Sequence, residues 1–216
     1  MCEKCVEEIN RAVPGLTAVQ MLEPGTDPLL FVLKSIEAHI DKDGWNQRPQ
    51  FFALGRSRIG FAASTVLLPD NIYYNTAQGL PAFVNWMVNG VPGGGGSTKE
   101  ERYTVLRECL PENFYGIILF GEGWGIHVNP DTPDDKREEY RMASVRHQIQ
   151  DHPDRVEERF GIAATVDGRL ASIRRTRGEE PEFFDSLAAD PTVEYAMGLI
   201  PDSLRLLCGI CQDAVS

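Results

Sequence analysis

Apolar residues along this chain follow two rhythms, one at helical spacing and one in short continuous or alternating runs. Residues 2–13 place Cys2, Cys5, Val6, Ile9 and Val13 on one stripe and predict a short amphipathic helix, broken by Pro14-Gly15. Leu29, Leu33, Ile36 and Ile40 repeat at the same spacing. Asp27 stands where it can cap that helix, Pro28 suits its first turn, and Gly44 is placed to stop it. Phe51 to Leu54 reads as a buried strand, Ile59 to Leu68 is ambiguous between helix and strand, and Leu80 to Val88 predicts a helix. Further on, Ser97 with Glu100, or Thr98 with Glu101, fits a capping box for a helix reaching about Cys109.

The strongest strand signal runs from Phe114 to Phe120. Its continuous apolarity implies burial on both faces and a central place in a sheet, with an extension through Trp124 to Val128. Thr132-Pro133 opens a helix expected to reach about Gln150. Phe160, Ile162, Ala164 and Val166 alternate into Asp167-Gly168, which predicts a two-residue type I′ turn and a return strand from Leu170 to Arg177. That turn would set Val166 opposite Arg169 and Ile162 opposite Ile173. Helical stretches are expected at Pro181 to Ala189 and Pro191 to Gly198. A last helix from about Asp202 carries Leu204, Leu207, Cys208 and Cys211 on one face. The order predicts one α+β domain over residues 1–216: a mainly antiparallel sheet of about four strands covered by helices on one face, with flanking N- and C-terminal helices. Gly93 to Gly96 predict a flexible glycine-rich linker at 91–97.

Charge narrows the partners. With 32 acidic and 21 basic residues the formal charge is −11, which argues against a broad phosphate-binding surface and makes a nucleic-acid partner unexpected. Apolar residues make up 42% and charged residues 25%, an ordinary globular balance. No apolar run is long enough to span a bilayer, and Glu3, Glu7 and Glu8 are unlike a secretory leader, so a cytoplasmic protein with no membrane role is expected.

Four of the five cysteines form two Cys-x-x-Cys pairs, Cys2 with Cys5 and Cys208 with Cys211. Two such half-sites are the usual ligand set of a structural zinc ion, and convergence of the termini would make a four-cysteine clasp. The same cysteines also lie on apolar stripes, where they can act as small core residues. A redox dithiol is the third reading, but it calls for a lowered thiol pKa at a helix start.

Candidate catalysis is sparse. Glu122 and His127, with Trp124 between them, follow the central strand and would suit general acid–base work in a hydrolase or transferase. The alternative is a strand turning polar as it leaves the core. His152 precedes Pro153 and suits a helix end. Gly93 to Lys99 has the glycines of a phosphate loop but the wrong order after them. Partner-binding candidates are the aromatics Tyr73, Tyr74 and Trp86 and the hairpin cations Arg174 and Arg175, which could grip an acidic group.

Two blocks carry a resemblance. The first is Ile36-Glu37-Ala38-His39-Ile40-Asp41 with Gly44-Trp45, Arg48-Pro49 and Phe52-Ala53-Leu54. The second runs from the Gly116 to Glu122 strand through His152-Pro153-Asp154-Arg155, Glu158-Arg159 and Asp167-Gly168 to Ile200-Pro201. Together they cover about half the chain and resemble a family of actinobacterial and actinophage cytosolic proteins with no assigned reaction. The resemblance implies one integrated fold and no particular activity. With no recognisable nucleophile or cofactor loop, the expectation is a non-catalytic adaptor or a phage-encoded modulator that binds a host protein.

Overall fold

The computed structural model describes residues 27–57, 60–66, 98–128, 131–146, 148–184 and 200–216. Helix α1 spans Pro28–Ile40. The Asp27 side chain accepts hydrogen bonds from the Leu29 and Leu30 N–H groups at 2.8 and 3.1 Å, so the cap read from sequence forms. Strands β1 (Gln50–Ser57) and β2 (Gly60–Val66) make an antiparallel pair. Helix α2 (Lys99–Cys109) starts with the reciprocal Thr98–Glu101 capping box, the second of the two pairings that fitted. Strand β3 (Phe114–Gly125), helix α3 (Asp134–Val145), strands β4 (Val156–Thr165), β5 (Leu170–Thr176) and β6 (Glu182–Phe184), and helix α4 (Ile200–Val215) complete the order.

The strands form one antiparallel sheet in the order β2-β1-β3-β4-β5-β6. Its two faces alternate along every strand. One carries Phe52, Leu54, Ile118, Phe120, Ala163, Ala171 and Ile173, and α1 lays Leu29, Leu33, Ile36 and Ile40 on it. The other carries Phe51, Ala53, Ile117, Leu119, Ile162 and Ala164 beneath α2 and α4. Each fully buried aliphatic contributes roughly 1.5–3 kcal/mol, so both layers matter to stability.

The α+β class, the largely antiparallel sheet and the central place of β3 agree with the sequence reading. Several details differ. The sheet has six strands, not about four, because the ambiguous run after Ile59 is the edge strand β2 and residues 182–184 form β6 where a helix was expected. Helices cover both faces instead of one, as β1, β3 and β4 are apolar on both sides and neither side can stay wet. Helix α3 ends at Val145, short of Gln150, and a separate 3-10 turn follows at Ile149–Asp151.

The hairpin differs by one residue. Of its turn residues only Gly168 is left-handed, at φ 85°, so a type I′ turn is not formed. Instead the Gly168 N–H donates to the Thr165 carbonyl and the Thr165 N–H to the Arg169 carbonyl, an extra residue that shifts the ladder. Ile162 therefore faces Ser172, and Ile173 faces Gly161. A one-residue slip moves a side chain to the other side of the sheet. Ile173 accordingly packs under α1, away from Ile162.

Candidate functional site

Charge gathers where α1 ends on the sheet. Arg159 on β4 is only 1% exposed, and every acceptor around it comes from elsewhere in the chain. Its Nε donates to Glu122 Oε1 on β3 at 3.0 Å, and its Nη1 to Asp41 Oδ1 at 3.2 Å. Its Nη2 reaches the Gly44 carbonyl, and the Trp45 ring covers the guanidinium at 4.7 Å. Arg175 on β5 donates from Nη2 to Glu37 Oε2 at 2.8 Å and from Nη1 to Asp41 Oδ2 at 3.0 Å. Its Nε comes within 2.8 Å of Glu37 Oε1 but is too poorly aligned for a second hydrogen bond to that carboxylate.

Sequence spacing explains this convergence. Glu37 and Asp41 sit four residues apart, hence on one side of the α1 end. On β4 the positions facing α1 are Arg159, Gly161 and Ala163, so small neighbours leave room for a long cation. Burial pushes the Glu37 carboxyl above its usual range, outweighing the Arg175 guanidinium that favours its charge. Glu122 Oε2 accepts the backbone N–H groups of Asn46 and Gln47 at 2.6 and 3.0 Å, in a loop where Asn46 takes a left-handed φ of 70°. Both Glu122 oxygens are thus engaged. The cavity beside it, lined by Gln47, Gly121 and Arg159 among others, is about 10 Å³, room for one water at most.

Glu122 and His127 do not meet. Glu122 pairs with Arg159, while His127 Nε2 lies 2.9 Å from Glu158 Oε1, and adjacent residues of β4 point to opposite faces. The Thr176 hydroxyl lies 3.0 Å from the same His127 nitrogen. A nucleophile relay requires hydroxyl and carboxylate on different ring nitrogens, so this trio does not form one.

The remaining candidates divide between core and surface. Cys208 and Cys211 are buried one helical turn apart in the core beneath α4. Burial pushes each thiol up to about 12. Cys2, Cys5, Tyr73, Tyr74, Trp86 and the 91–97 linker lie outside the described residues. Arg174 pairs with Glu182 at 2.8 Å and covers the Phe184 ring, on the face opposite Arg175. The hairpin arginines therefore do not form a single strip.

A second aromatic–arginine pair went unnoticed in the sequence. Trp124 is 45% exposed at the end of β3, and the Arg155 guanidinium carbon lies over its ring, 5.0 Å from the centroid. The preceding turn is held by His152, whose Nδ1 accepts the Asp154 N–H while Nε2 faces Glu139 on α3 at 3.2 Å. Trp124 pairs across the ladder with Glu157, which holds Arg177 at 2.6 Å. Arg177 in turn lies over Trp45 at 5.6 Å. Arginine at a strand end beside a tryptophan was the available signal, but no spacing rule links positions 45, 124, 155 and 177.

Comparison with family models, with curated proteins and with solved structures returns no match, so the geometry alone bears on function. Among the described residues, no helix is long and apolar enough to cross a membrane, and no group of three His, Cys, Asp or Glu side chains is placed to hold a metal ion.

Proposed function

We propose that this chain acts by binding another protein, without catalysing a reaction, as an adaptor or as a phage-encoded modulator of a host protein. The resemblance to actinobacterial and actinophage proteins suggests that setting. One observation carries the reading: Glu122, the acid best placed for chemistry, has both oxygens engaged beside a space of about 10 Å³. Substrate pockets are commonly some 300 Å³ or more. A group held this way supports a loop and a helix end, and His127 stands with different partners on the other face. The test is capture from host extract by the full chain under crosslinking, followed by reconstitution with the purified partner. A stoichiometric complex supports the reading; a hydrolase or transferase activity lost in Glu122→Gln or His127→Ala overturns it.

A zinc clasp of Cys2, Cys5, Cys208 and Cys211 is a separate structural proposal. The common face of Cys208 and Cys211 favours it, while their apolar surroundings favour plain packing. Elemental analysis of protein purified without chelator decides between them. One zinc per chain, lost in Cys208→Ser, supports the clasp; metal-free protein of undiminished stability ends it.

A further inference from the structure

We infer that Trp124 and Arg155, continued by Arg177 and Trp45, form a docking patch for a protein segment that presents a carboxylate. This rests on the binding reading and specifies the chemistry of its partner. Trp124 is one of two large hydrophobic side chains exposed among the described residues. The other, Leu206, lies on α4. A guanidinium over an indole face keeps N–H donors available for a further acceptor. Among the described residues the Arg155 guanidinium contacts only the Trp124 ring and, at 3.4 Å, the His152 carbonyl. Its strong donors are thus largely unspent, unlike those of Arg159, Arg174 and Arg175, each paired with carboxylates.

The rest of the patch extends this surface. Arg177 is half exposed and shares its charge with Glu157, between the two tryptophans. Tryptophan and arginine are the residues that most often dominate binding energy at protein interfaces, where a rigid ring and a fixed fork lose little entropy. Their combination could also stack a nucleobase above a phosphate. The balance of charge favours the protein partner. The chain carries −11 overall, and Glu157 and Asp154 stand beside the patch, so a polyanion would be repelled where one or two carboxylates would fit. The fork of Arg155 matches a carboxylate in two-point geometry.

The experiment titrates 15N-labelled full-length protein with an acetylated, amidated glycine pentapeptide carrying two glutamates, at low ionic strength, with its two-lysine counterpart as control. Three tryptophans give three indole N–H signals, and Trp124→Phe identifies the relevant one. Saturable shifts at Trp124 with the two-glutamate peptide are expected, absent with the two-lysine peptide and weakened about tenfold or more in Arg155→Ala. Arg155→Lys should fall between, because it keeps the charge without the fork. Arg155 is exposed, and an unchanged thermal midpoint confirms that its variants fold.

An unperturbed Trp124 signal, equal shifts of that signal with the two-lysine peptide, or undiminished affinity in Arg155→Ala overturns the patch. Tighter binding of an oligothymidylate makes it a nucleic-acid site, and a dimer lost in Arg155→Ala makes the occupant a second copy; either also overturns it. A captured partner retained equally by Arg155→Ala removes the patch but leaves the binding reading. Failure to capture any partner counts against that reading, while the peptide titration still judges the patch.

Discussion

The two faces of the sheet bury equally demanding groups and solve the problem in opposite ways. Under the end of α1, Arg159 is 1% exposed; under α4, Cys208 is 2% exposed. A guanidinium stays charged at any pH the protein meets, so the fold must bring anions to it, and it brings Glu37, Asp41, Glu122 and a backbone carbonyl. A thiol can shed its charge, so the other face needs no counter-ion and packs sulfur among aliphatic side chains. Depth of burial is therefore a poor guide to how a group behaves; what counts is whether it has a neutral form available.

The largest effect is expected where the charge cannot be relinquished. Arg159→Ala leaves three carboxylates and the Gly44 carbonyl without their common partner. Breaking a buried ionic cluster from one side destabilises by about 3–5 kcal/mol. Urea unfolding of wild type and variant measures the loss. A change below about 1 kcal/mol would mean that packing alone ties α1 to the sheet.

On the opposite face the comparison sharpens at high pH. The folded thiols of Cys208 and Cys211 are pushed from 9.0 up to about 12, so the native state holds these protons more tightly than the unfolded chain. Their contribution to stability is complete below about pH 9 and declines as pH rises toward about 12. A difference of three pKa units corresponds to roughly 4 kcal/mol for one thiol, and the neighbouring sulfurs make the pair less than additive. Unfolding measured across this range should fall less steeply in the double variant Cys208→Ala with Cys211→Ala. Parallel curves would show that the thiols ionise freely in the native state.

Between these extremes lies a purely steric term. An alanine methyl at Gly161 would run into the Phe120 ring and stand 2.8 Å from Ile173 Cγ2, all beneath α1. Gly161→Ala should cost about 1–3 kcal/mol through displaced rings, as overpacking does. A neutral result in a thermal melt would mean that this face yields more easily than its ion cluster implies.

What could be read beforehand follows the range of the interactions. The Asp27 cap, the Thr98–Glu101 box and the burial of Phe114 to Phe120 depend on neighbours a few residues away, and periodicity exposes them. The Arg159 cluster joins positions 37, 41, 44, 122, 159 and 175, and no local pattern connects them. Its members did fall within the resembling blocks, except Arg175, but that placed them in the chain without revealing that they touch. The hairpin shows a subtler failure. Asp167-Gly168 did announce a turn, yet the Thr165 hydroxyl and the Tyr115 hydroxyl both bond the Asp167 carboxylate and hold it below its ordinary pKa. That network, one arm of it from Tyr115 on β3, accompanies the bulged turn, and the extra residue shifts the strand register. Glu122 and His127 are five residues apart, an odd offset that in a continued strand already sets them on opposite faces, so here the spacing carried the answer.

The smallest effect tests the other end of α1, where an acid is stabilised as an anion instead of being forced toward neutrality. Burial tends to raise the Asp27 pKa, but the Arg169 guanidinium and the Leu29 and Leu30 N–H groups outweigh it and hold it below 3.8. A lowered folded pKa means that its contribution is present above the unfolded value and is lost as pH falls through the folded one. Asp27→Ala removes both the cap and the 2.6 Å ion pair with Arg169 and should cost about 1 kcal/mol at neutral pH. Asp27→Asn keeps an oxygen for the helix N–H groups but cannot ionise. It should lose only about half as much, since a pair with both side chains about 30% exposed is worth less than about 1 kcal/mol. Acid titration of stability separates the two contributions: as pH falls from about 4 through the lowered folded pKa, the curves of wild type and Asp27→Asn should converge, whereas Asp27→Ala stays lower for want of a cap. If Asp27→Asn remained equally far from wild type at low pH, the Arg169 pair would have no part in holding α1, and the cap alone would set the entry of the helix onto the sheet.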